Sequence, residues 1–376
     1  MAMVSPVYNL CPSAQLTPRV KSPSPPHNMF SSVMVALVSL AMAVSANPGL
    51  SLKVSGPEAV DGVNNLKAVT TITNTGDETL KLLNDPRGAL HTMPTDTFAI
   101  TNESGETPSF IGVKVKYVPS MAAKSTGENV FTVIAPGQSV NVEHDLSAAY
   151  NFTSSGAGTY AVEALNVFNY IDPETNEPVE IWADAEAHTT AVSGKLAVVR
   201  ATPTLTRPTT YNGCSSSEQS ALAAAASAAQ SYVAESLSYL QTHTAATPRY
   251  TTWFGSYISS RHSTVLQHYT DMNSNDFSSY SFDCTCTAAG TFAYVYPDRF
   301  GTVYLCGAFW KAPTTGTDSQ AGTLVHESSH FTRNGGTKDY AYGQAAAKRL
   351  ASMEPDKAIM NADNHEYFSE NNPAQS

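Results

Sequence analysis

The stretch LVHESSHFTRNGGTKDYAYG, residues 324–343, decides what the C-terminal part of this chain can be. Just upstream, Thr317 and Asp318 are N-cap candidates, so a helix is expected through Gln320, Leu324, Val325 and Phe331, stopping before the NGG at 334–336. On such a helix His326 and His330 lie one turn apart on one face, and both imidazoles reach a single cation. Glu327 sits one step round from His326, where it reaches a water on that cation instead of the cation itself. The spacing suits zinc with a glutamate base beside it. A third donor is then needed. Position 336, ten residues after His326, is Gly, and position 333 is Arg, so no further histidine follows at that distance. Glu354 directly precedes Pro355 and reads as a helix end. What does follow is GGTKDYAYG, in which Asp339 stands just beyond a glycine turn that brings the chain back toward the helix.

Around this stretch the chain has a helical texture. Residues 215–240, SSSEQSALAAAASAAQSYVAESLSYL, open with serines able to cap and continue with strong helix formers, which predicts a long helix. A second helical pattern covers about 253–269, and three short β-like runs follow near 280–286, 291–296 and 302–306. All the cysteines but Cys11 lie here: Cys214, Cys284, Cys286 and Cys306. Cys284 and Cys286, two apart on one run, are poorly placed to pair with each other, so two bridges to Cys214 and Cys306 are expected, with two pairings open.

Residues 50–199 read differently. SLKVSG, LKAVTTITNTGDETLKLLND, TFAITNESGE, GVKVKYV and GTYAVEALNVF are Val- and Thr-rich runs punctuated by turns, the pattern of an all-β sandwich. This part has no cysteine and no cluster of histidines with carboxylates, and it carries both Asn-x-Ser/Thr glycosylation acceptors, Asn102 and Asn151. ATPTLTRPTT, residues 201–210, reads as a linker. At 376 residues the chain is long enough for two such domains, each with its own core.

Residues 29–46, MFSSVMVALVSLAMAVSA, hold an apolar core from Val33 to Val44, too short to cross a bilayer and followed by small residues. This predicts a secretion signal, preceded by an N-terminal extension in which Met1 or Met29 is the true start. The expected divisions are therefore 1–46 for extension and signal, 47–209 for a β-rich pro-segment, and 210–376 for the mature domain. A net charge of −11 without any basic run excludes nucleic acid as a partner. No membrane span is expected, and the mature product is expected to be an extracellular monomer.

His-Glu-x-x-His followed by Gly-Thr-x-Asp-x-x-Tyr-Gly resembles the signature of the aspzincins, deuterolysin-like secreted zinc endopeptidases. It matches here at His326, Glu327, His330, Gly336, Thr337, Asp339, Tyr342 and Gly343. From about Thr210 to Ser376 the chain is similar to the lysine-specific fungal members in length, in its four cysteines and in its terminal NADNHEYFSENN. The resemblance implies an α+β fold: a mainly helical zincin-type domain with a small antiparallel sheet, preceded by the sandwich-like pro-segment. It implies one zinc ion on His326, His330 and Asp339, with Glu327 as general base and Tyr342 as hydrogen-bond donor to the developing oxyanion. Tyr342 is expected on a helix starting near Asp339. It further implies that Asp363 and Glu366, spaced one turn apart, bind the lysine of protein and peptide substrates on the amine side of the cut, and it favours pairing Cys214 with Cys284 and Cys286 with Cys306. His365, between the two acids, is read as a surface residue.

Two rival readings stand beside this one: a deuterolysin of broader preference, which would carry more disulfides, and a secreted binding protein whose β part is the functional module. The intact Glu327 argues against the second, since a structural zinc site has no use for a base. An edge strand that holds extended substrate is expected at TVYLCGAFW, residues 302–310, with TFAYVYP, 291–297, the next candidate. No lysine lies near 209–210, the nearest upstream being Lys195, so a lysine-specific enzyme would not make that cut itself. The pro-segment is expected to act as an inhibitor that shields the cleft, or as a folding aid.

Overall fold

Alternation of apolar and polar residues sets the N-terminal sheets. In the strand Lys67–Asn74 every second residue is buried, and it pairs antiparallel with Leu50–Ser55 on one side and Ser139–Asp145 on the other. The structure, a computed structural model, describes residues 48–127, 129–198 and 210–376. The expected signal and Cys11, and the linker up to Thr209, lie outside the described residues. A two-stranded pair, Ser109–Phe110 with Tyr150–Asn151, and two further four-stranded sheets make up the rest of the β part. One runs Ala59–Asp61, His188–Ser193, Gly158–Ala164, Phe98–Asn102, and the other Pro178–Trp182, Val167–Ile171, Leu80–Leu83, Phe131–Ile134. Their inward side chains form two apolar cores, around Phe152 and Tyr160 and around Ile72 and Leu82.

The C-terminal part is built round a 27-residue helix, Ser216–Thr242, opened by a capping box between Ser215 and Glu218. Its buried stripe, Leu222, Ala225, Ala229, Val233 and Leu240, packs with residues of the helices Pro248–Phe254, Ser259–Asn273, Gln320–His330 and Ala362–Glu370 in one core. Disulfides join Cys214 to Cys284 and Cys286 to Cys306.

The C-terminal sheet departs from expectation in three ways. It is mixed rather than antiparallel: Ser281–Asp283 runs parallel to Thr302–Leu305, because the loop at 284–290 carries the chain past that strand before Thr291–Val295 pairs antiparallel on its far side. For the same reason Thr302–Leu305, the favoured edge candidate, is central, and Thr291–Val295 lies outside it. Finally, Thr291–Val295 is itself covered, because Lys114–Tyr117 leaves the β part of the chain and adds antiparallel to it as a fifth strand. All four residues of that added strand are buried.

Candidate metal centre and substrate cleft

The helix Gln320–His330 is capped by Ser319, whose hydroxyl accepts from the Gly322 amide at 2.9 Å. Thr317 and Asp318 do not cap it. Asp318 takes a left-handed φ of 52°, and Ser319 is fixed by Glu370, whose Oε1 accepts from both its amide and its hydroxyl at 2.8 Å. Gly322 lets the helix Ala362–Glu370 approach, since a Cβ there would stand 2.1 Å from Glu370 Oε1.

All eleven residues of the metal helix are buried. The Nε2 atoms of His326 and His330 lie 3.4 and 3.1 Å from Asp339 Oδ1, and none of these three buried atoms has a hydrogen-bond partner. Three orphaned donors, two nitrogens and a carboxylate oxygen, lie within 4.8 Å of one another. Such a set fits zinc and leaves a coordination position open. Each histidine is oriented from behind. His330 Nδ1 donates to Thr337 O at 3.0 Å, and His326 Nδ1 lies 2.9 Å from Asp363 Oδ1 and 3.2 Å from Glu366 Oε2. Asp339 arrives where the glycine turn sends it, and Asn361 fixes the next residues by accepting from the amides of Tyr340 and Ala341.

Glu327 lies beside these donors with Oε2 unpartnered. Burial pushes its carboxyl well above the ordinary range, and the Asp339 charge adds to this against the pull of His326. Tyr342 is not on a helix: it precedes Gly343, the cap of Gln344–Met353. From that loop its hydroxyl points into the cleft.

Behind the metal donors is an acidic pocket. Asp363 and Glu366, both 0% exposed, face inward from one side of Ala362–Glu370, and Asp318 closes the rim, accepting from the Tyr367 hydroxyl at 2.5 Å. Asp363 Oδ2 accepts from the Gly343 amide at 2.6 Å, at a φ of +82° that favours glycine. Into this pocket runs Lys116 of the added strand. Its Nζ lies 2.7 Å from Glu366 Oε2, 3.0 Å from Asp363 Oδ1 and 3.4 Å from Asp318 Oδ1. Burial works against the ammonium, yet the three carboxylates outweigh it and hold the lysine well above its usual pKa. Burial likewise opposes ionisation of both acids. The lysine charge and His326 bring Asp363 below its usual range, whereas Glu366 stays above it.

The added strand also meets the reacting groups. Lys116 N donates to Glu327 Oε1 at 3.0 Å, Val115 N donates to Asp339 Oδ2 at 3.2 Å, and Val115 O accepts from the Tyr342 hydroxyl at 2.6 Å. Arg87, from the same β part, donates to Asp339 O at 3.0 Å and lies 3.8 Å over the Tyr342 ring.

His365 is not a surface residue. It is 0% exposed, with Nε2 3.0 Å from His268 Nδ1 and Nδ1 donating to Asn361 O at 2.9 Å. Asp318, Lys116 and Arg87 carry no signal in a single sequence, because each reaches the site only through tertiary contacts.

A helix presenting His-Glu-x-x-His with a carboxylate as third donor defines a zinc metallopeptidase. The aspzincin family model, described as lysine-specific metallo-endopeptidase, matches residues 239–370. A peptidyl-Lys metalloendopeptidase of Grifola frondosa is 97% identical over 348 residues, 93% of this chain and 100% of that protein. One from Armillaria mellea is 57% identical over 337 residues, 89% of this chain and 95% of that one. A solved zinc peptidase from Grifola frondosa, 97% identical, covers 43% of this chain and 100% of its own at a TM-score of 0.43. The chain belongs to the aspzincin family; it is a metalloendopeptidase and zinc is its cofactor. Among the described residues no helix is long and apolar enough to cross a membrane.

Proposed function

We propose that residues 210–376 form a secreted, monomeric zinc endopeptidase that cuts peptide bonds on the amino side of lysine, and that 47–209 is its pro-segment. The observation that carries the specificity is the buried Asp363–Glu366 pair with an ammonium group between the two carboxylates. A compact, strongly hydrated cation enters a buried slot only where carboxylates replace its water.

His326, His330 and Asp339 would hold a zinc ion, which when bound would supply Lewis-acid chemistry to the scissile carbonyl and to water. Glu327 takes a proton from the attacking water and returns it to the leaving nitrogen. The Tyr342 hydroxyl donates to the carbonyl oxygen as charge develops there. Asp363 and Glu366 fix the lysine side chain, which sets the bond to be cut on its amine side. No covalent intermediate with the enzyme is required.

Digestion of a denatured protein of known sequence by residues 210–376, with and without chelator, tests this through the new N-termini. Chelator-sensitive termini that are nearly all lysine are expected. Mixed termini would remove Asp363 and Glu366 from specificity, and no cleavage by a folded, zinc-loaded domain would defeat the proposal.

A further inference from the structure

We propose that Lys114–Tyr117 is a tethered substrate and that the Val115–Lys116 bond is a cleavage site for the enzyme's own active centre, the cut that opens the precursor. The inference rests on the lysine-pocket reading above and extends it to this chain's own backbone.

Four contacts fix the register. The lysine side chain is in the acidic pocket. The carbonyl immediately before that lysine, Val115 O, faces the hydroxyl that would stabilise an oxyanion. The nitrogen of the same peptide unit, Lys116 N, faces the carboxylate that would return a proton to a leaving amine. Pairing with Thr291–Val295 holds the backbone extended and antiparallel, with Val115 opposite Tyr294 and Lys116 opposite Ala293. One residue of slip would take the lysine out of the pocket and turn its side chain to the other face. Strand, pocket and reacting groups therefore agree on a single peptide bond.

The strand is held from outside as well. Val113, Val115, Tyr117 and Tyr342 share one apolar cluster, and Arg87 lies on the Tyr342 ring. Tethering removes the association cost that a free peptide would meet, so the cleft stays filled until the bond is broken. In the cut itself, water oxygen bonds to the Val115 carbonyl carbon and the C–N bond to Lys116 breaks. The proton taken by Glu327 goes to the Lys116 nitrogen, leaving a carboxylate on Val115 and an amine on Lys116. The two ends are then no longer held in one strand and can leave the cleft separately. This cut is distinct from removal of the pro-segment near residue 209, where no lysine stands.

The test uses the full precursor, purified metal-free and then given zinc, with N-termini followed by mass spectrometry alongside hydrolysis of an external lysyl peptide. The expected result is a chain beginning at Lys116, formed with a half-time that does not change on dilution, with external activity rising as it forms. Glu327→Gln and Lys116→Ala precursors should yield none of it. External activity that appears while the Val115–Lys116 bond is intact would overturn the proposal, as would a half-time that lengthens on dilution. Should Lys116→Ala fail to fold, amine acylation of the Glu327→Gln precursor decides the placement: Lys116 should stay unmodified while the exposed Lys53 reacts, and equal labelling refutes it. Lysyl cleavage of the external peptide without the internal cut would defeat this inference alone, whereas external cuts away from lysine would defeat the pocket reading itself.

Discussion

Replacing Asp363 by Asn in residues 210–376 removes one of three carboxylates that meet an ammonium, at 3.0 Å, while leaving Glu366 at 2.7 Å and Asp318 at 3.4 Å. A hydrogen bond to a charged group contributes about 1.5–3 kcal/mol, and a buried charge deprived of a partner costs about 3–5 kcal/mol. Because Glu366 remains, the overlap of these ranges applies, about 3 kcal/mol, or roughly 150-fold in kcat/KM for lysyl peptides. Asp363 also lies 2.9 Å from His326 Nδ1, so zinc affinity should fall by about 10–100-fold. The assay therefore compares peptides with Lys or Met after the cut bond at saturating zinc, and zinc affinity is titrated separately. The Lys-to-Met ratio isolates the pocket, because a general loss through His326 affects both peptides alike. A variant whose ratio stays within a few-fold of the parent would refute the reasoning, since the ammonium would then be bound elsewhere.

Glu327→Gln should retain zinc by metal analysis while kcat falls by about 10²–10⁴, because the general base is lost but no metal donor is. Tyr342→Phe should lower kcat by about 10²–10³ with little change in KM, and a change confined to KM would place the hydroxyl outside the transition state. The His268–His365 pair should make residues 210–376 acid-labile: burial holds His268 to about 4 and His365 to about 3. Both are thus favoured neutral in the fold. Their stabilisation is fully present above the ordinary histidine pKa and is lost as pH falls from there toward those values. Thermal unfolding between pH 7 and pH 4 measures it, and His268→Gln should flatten the slope.

The metal helix was legible because two histidines four apart must share a face of any helix, whatever surrounds it. Asp339 was legible only through resemblance, since a carboxylate beyond a glycine turn has no fixed position until Asn361 and Thr337 hold the loop. The helix cap falls at Ser319, one residue after Asp318, which looks like a cap and is instead turned aside by its left-handed backbone toward the pocket. GVKVKYV read as a strand, and it is one. Its alternation, however, predicts lysines toward water, whereas Lys114 and Lys116 are 1% and 0% exposed. No local pattern announces that the partner surface of Lys116 is acidic and lies 202 and 247 residues further along the chain, at Asp318 and Asp363. His365 failed for a related reason: a polar residue between two acids reads as surface, and the packing of Phe254, His268 and Tyr269 against it makes it core.

The outer flank of Thr291–Val295 has a further consequence. While Lys114–Tyr117 is in place, the backbone groups on that flank are paired. If the proposed pro-segment is removed, the same row of amides and carbonyls becomes an open sheet edge, and main-chain pairing along such an edge does not depend on the side chains of the strand that joins it. The flank that would take substrate would then also be the one most open to pairing with another chain in concentrated, substrate-free solution. Under the pro-segment reading proposed above, Lys114–Tyr117 covers that edge for as long as it stays attached. A short lysine-containing peptide added to stored enzyme would serve the same purpose until it is consumed.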